Sequence, residues 1–371
     1  MATLASSMFT LIVFVASALL VAVQLASAQL TPRIIALVFR DPFTRLSMSV
    51  FAFTFAFCMA TMLRIDESVP LLTERVAAYS CTFSVGLFLI LIDHVGRFVR
   101  PSGALRSVAL QGQRVVRSVY PQRLSDPRKG PTPPAVVLEG HPTRVIVSRS
   151  GGTILAVDVQ GLVALAEKYN CIIELVPLVG DFLAVGDPLF RLFAGGADVN
   201  QRILHHSVAV GQERTMEQDP MFPFRIMVDI ASKGLSPAIN DPTTAVLAID
   251  QIHHLLRDVG SRRLDEGPVR DSNGHIRFVC RTPDWENFVQ LAVTEIRHFG
   301  ETSVQVARRL RAMLDNLIAT LPDDRAAPLR HELKLLNRSI ERSFPEPEDR
   351  ALADTSDLQG VGGKREPEKA T

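Results

Sequence analysis

The sequence predicts an α-helical transmembrane region of three spans followed by an α+β cytoplasmic region, in which a small barrel-sandwich-like β module precedes a helical domain. Three observations lead there. The first charged residue of the 371 is Arg33, so 32 uncharged residues open the chain. Two more uncharged stretches follow, at 46–63 and 76–92. Farther on, apolar positions fall first at strand spacing and then, in three long segments, at helical spacing. The chain-wide balance of 40 basic and 39 acidic residues hides this division. It also leaves no global basic field, so a nucleic-acid partner is not expected.

A hydrocarbon core about 30 Å thick needs about 20 apolar residues at 1.5 Å each. Spans are therefore expected at about 4–28, 46–64 and 75–97, making 1–100 a transmembrane region with the lipid bilayer as its solvent. Ala26-Ser27-Ala28 has the form of a signal-peptidase site. No Lys or Arg precedes it, however, and the apolar run is longer than a usual signal core, so the segment is read as a retained span. Arg33, Arg40 and Arg45 lie between spans one and two. Between spans two and three, Arg64 and Arg75 are offset by Asp66, Glu67 and Glu74. Residues 97–129 hold eight basic residues and one acid, Asp126. The positive-inside rule then puts the first loop and the C-terminal region in the cytoplasm, with Met1 outside.

Span one has internal detail. Ala18, Ala22 and Ala26 recur every four residues, a row suited to close helix packing. Gln24, Ser27 and Thr31 form a second, polar face. That face suits either hydrogen bonding between helices or a wetted path for an ion or ligand. Residues 33–46 alternate apolar groups with three Arg and suit an amphipathic segment at the inner surface.

The region 101–135 divides into a basic helix and a linker. Leu105, Val108, Ala109, Val115, Val116 and Val119 share one helical face, leaving Arg106, Arg114 and Arg117 outside it. Those arginines either set topology or bind anionic lipid headgroups. Five prolines between 121 and 134 mark the linker.

Residues 136–200 form the β-rich module. Its segment VGDFLAVGDPLF has two Gly-Asp turns and is similar to the hammerhead turns of biotinyl- and lipoyl-type modules. A modifiable Lys at a hairpin tip is absent, so a scaffold is expected rather than a swinging arm.

Residues 201–344 read as mostly helical. Asp219-Pro220 and Asp241-Pro242 each pair an N-cap with a proline at the first helical position, as does Asp41-Pro42. Arg225 and Asp229 stand at i, i+4, and so do Asp229 and Lys233. The polar loop Ser236, Asn240, Asp241, Thr243 and Thr244 opens a helix whose free N–H groups suit an anion. Arg214, Arg225, Asp229, Ser236, Asn240, Asp241 and Thr243 are therefore the ligand-binding candidates. A tightly hydrogen-bonded helix–loop–helix accounts for the same pattern. A strand at 275–280 and three amphipathic helices follow, and 345–371, with four basic and seven acidic residues, is expected to be disordered.

Two stretches, VAVQLASAQLTPRIIALVFRDPFTR and QDPMFPFRIMVDIASKGLSPAINDPTTAV, resemble the bacterial membrane-protein family known as domain of unknown function 2254. The likeness runs from about residue 6 to about residue 321. It implies an integral protein of the bacterial inner membrane, multi-pass, with a cytoplasmic C-terminal region, and it implies no activity. Members usually carry a further apolar segment upstream of the first span seen here. The expectation is that such a span precedes Met1.

Catalytic signatures are absent: there is no GxxxxGK[ST], GxSxG or HExxH, and neither a catalytic residue, a metal site nor a cofactor is predicted. The four cysteines show no CxxC spacing. His253-His254 are helix neighbours about 100° apart, which rules out i, i+4 chelation. Asp93-His94, at the end of span three, is a candidate pH- or ion-sensitive pair. The favoured reading is a non-enzymatic homo-oligomeric channel-like or sensing protein, similar in architecture to small mechanosensitive channels. The alternatives are a membrane-tethered enzyme or anion-binding protein using 214–244, and a lipid-bound scaffold.

Overall fold

The computed structural model describes residues 1–33, 41–63, 71–127, 138, 140–264 and 267–362. The expected amphipathic segment at 33–46 and the linker at 121–134 lie partly outside these residues, and the loop bearing Arg64, Asp66 and Glu67 lies wholly outside them. Among the described residues, three helices are long and apolar enough to cross a membrane: α1 (Ala2–Gln29), α2 (Pro42–Leu63) and α3 (Leu71–Val99). They pack pairwise. Met8, Val15 and Leu19 of α1 meet Phe51 of α2 and Leu91 and Val95 of α3, while Ala5, Cys58 and Ala77 close the other end. The outward faces keep large apolar groups such as Phe14, Phe53 and Leu89 exposed, as suits a lipid solvent. Inside the bundle, Thr54 and Ser84 share a buried hydrogen bond at 3.2 Å.

The ends of these helices are fixed by side chains. Asp41 caps α2 by accepting from the Thr44 N–H at 2.8 Å, as its Asp-Pro form predicts. The same carboxylate oxygen lies 3.0 Å from His94 Nε2, tying α3 to the start of α2. At Arg100 the backbone turns extended (φ −72°, ψ 135°), and α4 (Pro101–Val119) begins at once with Pro101 at its N-terminus.

A mixed α/β layer follows: β1 (Arg144–Val147), β2 (Gly152–Val157), α5 (Val159–Lys168), β3 (Ile172–Leu175), β4 (Phe182–Leu183), β5 (Pro188–Phe193), α6 (Gln201–His206) and β6 (Val208–Gly211). Then come α7 (Phe222–Gly234), α8 (Pro242–Gly260), β7 (Val269–Arg270), β8 (Ile276–Cys280), α9 (Trp285–Phe299), α10 (Val304–Thr320), α11 (Ala326–Ser343) and α12 (Pro347–Ala353).

The two Gly-Asp turns form as the sequence predicts. Gly180 and Gly186 take φ of +95° and +92°, and Asp181 and Asp187 accept the N–H groups of Leu178 and Ala184, each at 2.8 Å. The barrel-sandwich expectation does not hold. Among the described residues the strands form one five-stranded sheet, ordered β1-β5-β3-β8-β7, and one three-stranded sheet, β4-β2-β6, with no closed barrel. The reason is long-range pairing. β8 adds to β3 in parallel, with Ile173 opposite Phe278, and buries Phe278 beside Ile173 and Phe190. Strands from the region read as mostly helical thus extend the sheet at the edge where a barrel would have to close.

α4 packs Ala104, Leu105, Val108, Ala109 and Val116 against α7 and α8, leaving Arg106, Arg114 and Arg117 outward. α9, α10 and α11 complete this core around Phe224, Met227, Ile252, Phe288 and Leu314. Val23 and Leu30, at the end of α1, belong to the same core, so the first span and the helical domain share one packed interior.

Part of the segment expected to be disordered is ordered. α12 buries Ala353, and Asp357 then accepts the N–H groups of Gln359, Gly360 and Gly362. Arg308, 1% exposed, donates to the carbonyls of Thr355 and Gly362. The local composition has little to bury by itself; α10 supplies the surface and the donors. Residues 363–371 lie outside the described residues.

Gly112 lets α4 come close to α7 and α8. A Cβ there would lie 2.8 Å from Pro223 Cβ and 3.1 Å from a Leu255 methyl group. Gly112→Leu is therefore expected to destabilise the domain by about 1–3 kcal/mol despite its better helix propensity. Denaturant unfolding followed through Trp285, the one tryptophan, checks this; an unchanged midpoint would show that α4 does not pack this closely.

Candidate functional site

The densest polar cluster lies where the end of α1 meets α7. Upstream of α7, Asp219 is almost fully buried and accepts the N–H groups of Met221 at 3.0 Å and Phe222 at 3.2 Å. Its carboxylate thus holds the turn ahead of α7, but the helix starts at Phe222 with Met221 as its N-cap residue, so the expected arrangement of an Asp219 cap with Pro220 at the first helical position does not form. Arg214 pairs with the other oxygen of Asp219. Along one face of α7 stand Arg225, Asp229 and Lys233, one turn apart.

Arg225 donates to Asp229 Oδ1 through Nε at 2.7 Å. Its two terminal nitrogens reach both oxygens of Glu295 on α9, at 2.5 and 2.7 Å, a bidentate pair. Asp229 Oδ2 pairs with Arg33, which follows α1. The guanidinium carbons of Arg33 and Arg214 lie 5.8 and 5.7 Å from the Phe222 ring centre, two cations on one aromatic ring. Lys233 does not pair with Asp229. Its Nζ donates to the Ser27 carbonyl at 2.8 Å, satisfying an acceptor in the last turn of α1 where the helix dipole favours a cation.

These neighbours shift the charges. Burial, and then the charges of Arg225 and Arg214, push the Arg33 guanidinium down from its ordinary value. The Arg225 hydrogen bonds hold the Glu295 carboxyl below the usual range. Arg33, Asp219, Phe222 and Glu295 were not among the sequence candidates. In the sequence Arg33 is legible only as a topology signal, and no local pattern marks Glu295 as the partner of Arg225.

The remaining candidates sit at and beyond the far end of α7. Ser236 Oγ donates to the Lys233 carbonyl at 2.7 Å, and the Asn240 N–H donates to the Ser236 carbonyl at 2.8 Å. Asn240 adopts a left-handed φ of +48°. Asp241 caps α8, accepting from Thr244 N at 3.1 Å and from Thr244 Oγ1 at 2.6 Å. Thr243 is exposed on the first turn of α8. The structure thus brings Arg214, Arg225 and Asp229 together and sets Ser236, Asn240, Asp241 and Thr243 apart in a capping loop.

The polar face of span one also divides. Gln24 is exposed, Ser27 is half-buried and Thr31 is buried. The row of small residues turns with it, from exposed Ala18 to buried Ala26. Two clefts, of about 320 and 550 Å³, lie elsewhere, one against residues 356–359 and the other beside Asp158 and His206. Among the described residues no three His, Cys, Asp or Glu side chains converge as a metal site.

The adjacent histidines have structural partners. His253 Nε2 lies 2.9 Å from Asn316 Oδ1, and Arg309 donates to His253 Nδ1 at 3.2 Å, so the neutral ring carries its proton on Nε2. Burial pushes this imidazole below its ordinary value. The unfolded chain then takes up a proton near pH 6.5 that the fold resists, so stability should fall as the pH drops below that value. His253→Gln is expected to flatten the slope of thermal midpoint between pH 7 and 5.5, and an unchanged slope would place its origin elsewhere. Asp229→Asn removes the charged partner of Arg33 and one of the two carboxylates on Arg225, and is expected to lower stability by about 1–3 kcal/mol. Replacing Arg33 as well should then cost little more, as a double-mutant cycle in denaturant would reveal.

The family described as predicted membrane protein (DUF2254) matches residues 1–316. An uncharacterised protein of Mycobacterium bovis is 27% identical over 361 residues, spanning 94% of this chain and 68% of the relative. An uncharacterised protein of Mycobacterium tuberculosis matches with the same identity and the same coverage. No solved structure matches the chain. With three apolar helices ahead of an α/β region, and a match over most of its length, the chain belongs to the DUF2254 family of predicted membrane proteins.

Proposed function

We propose that the chain is a non-enzymatic, homo-oligomeric membrane protein, channel-like or sensing, whose helical domain acts on the first span. One observation carries this reading: the Asp229 carboxylate is shared between Arg33 at the end of α1 and Arg225 on α7. A displacement of α7 then has a direct route to the span, through an ion pair, the Lys233–Ser27 hydrogen bond and the common packing of Val23 and Leu30. The charge bias supports an inner-membrane orientation with the C-terminal region cytoplasmic, since Arg33, Arg45 and the basic α4 lie on one side of the bundle.

Two other readings have less support. An enzyme or anion-binding site at 214–244 would need free cationic groups, but Arg214 and Arg225 are each neutralised by a carboxylate. A lipid-bound scaffold is favoured only by Arg106 and Arg114, which are exposed on α4 around exposed Leu110. That contact is compatible with the first reading and would place anionic headgroups along α4.

The test is current through purified protein in planar bilayers under voltage, tension and pH steps. Asp229→Ala is expected to shift the open-to-closed ratio by about 5- to 150-fold, the usual range for coupling between sites. Silence under every stimulus would overturn the channel form of the proposal. An unaltered response in the variant would overturn the coupling.

A further inference from the structure

The outward face of α1 has a pattern that the bundle does not use. Thr3, Thr10, Ser17 and Gln24 recur every seven residues in an otherwise apolar helix. At about 100° per residue they lie nearly opposite the row that faces α2 and α3, namely Ala5, Met8, Val15, Leu19, Val23 and Ala26. All four polar residues are exposed, and Ser6 and Ala28 extend the same strip. Large apolar groups, Phe9 and Leu20 on one side and Phe14 and Leu25 on the other, flank it.

We infer that this strip is the contact between copies of the chain within the membrane, α1 against α1. The inference deepens the oligomeric reading above and rests on it. Thr10 bonds back to the Ser6 carbonyl at 2.9 Å, so its hydroxyl needs no outside partner. The carboxamide of Gln24 has no such local acceptor, and no partner for it occurs among the described residues. Where water is excluded an unpaired amide is costly, and pairing it across a helix interface is favourable.

Three features select a second copy as the occupant. Every group in the strip is uncharged and carries both a donor and an acceptor, so an identical strip satisfies it without a partner of different chemistry. Thr, Ser and Ala are small enough to let two backbones approach. A period of seven also keeps the strip on a common seam when two helices cross at about 20° with a left-handed supercoil, whereas a straight helix would drift away from it.

The experiment uses the full chain in native membranes. Cys58, Cys81, Cys171 and Cys280 are replaced by Ala, and single cysteines are placed at Thr10, Ser17, Gln24 or, as flank controls, Phe9 and Leu25. Copper-phenanthroline oxidation should yield at least fivefold more disulfide-linked dimer at the three strip positions than at the controls. Gln24→Leu, in the otherwise native chain, should shift the mass distribution in nanodiscs toward the monomer while leaving the Trp285 unfolding midpoint unchanged. Equal yields at strip and flank overturn the inference. Strip cysteines that react fully with a water-borne thiol reagent and do not cross-link also overturn it, because the strip would then line a water path. A multimer in nanodiscs without strip cross-links removes this interface and keeps the oligomeric proposal, whereas a monomer removes both.

Discussion

One carboxylate links the charged groups where the first span meets the helical domain. Asp229 accepts from Arg225 on its own helix and from Arg33 at the end of the first span, and Arg225 passes the connection on to Glu295. The Asp229 and Arg225 side chains are less than a quarter exposed, so water screens them incompletely, and either charge left without its partners would be costly. The cluster therefore orders three helices, α1, α7 and α9, relative to one another. Lys233 adds a fourth contact by closing the carbonyl end of α1.

This junction depends on how α4 and α8 align. Gly112 lies against Leu255, Arg117 reaches Asp258 at 3.4 Å, and the Tyr120 carbonyl accepts from Arg262 at 2.7 Å. The two helices thus run in the same direction, with their first turns on the side where the spans end. The loop 235–241 and the Asp241 cap then belong to the membrane-facing end of the domain. A helix pair held in register over its whole length moves as a unit, which gives the ion-paired α7 a rigid backing.

The β layer and the C-terminal segment show the same dependence on distant partners. β3 is completed by β8, more than a hundred residues later in the chain. Residues 354–362 are held by Arg308, a side chain of α10, and by the Asp357 turn. Both features fold only because another element offers an edge or a donor, and neither has a local signature. This is why short-range signals point to a self-contained barrel-sandwich and a disordered tail, whereas the described residues form an extended sheet and an ordered 354–362 segment.

What short-range physics decides is legible along the chain. Uncharged runs long enough for a bilayer marked the three apolar helices, Asp-Pro pairs marked the caps at Asp41 and Asp241, and the Gly-Asp turns formed at Gly180 and Gly186. The i, i+4 spacing of Arg225 and Asp229 placed them on one helix face. Only the tertiary structure decided what that face meets. Arg33, Phe222 and Glu295 come from separate elements, and the partner of a charged side chain depends on packing between helices rather than on spacing along one. The same applies to Gln24 and Thr31, which a helical wheel puts near one face, whereas the structure buries Thr31 and leaves Gln24 exposed.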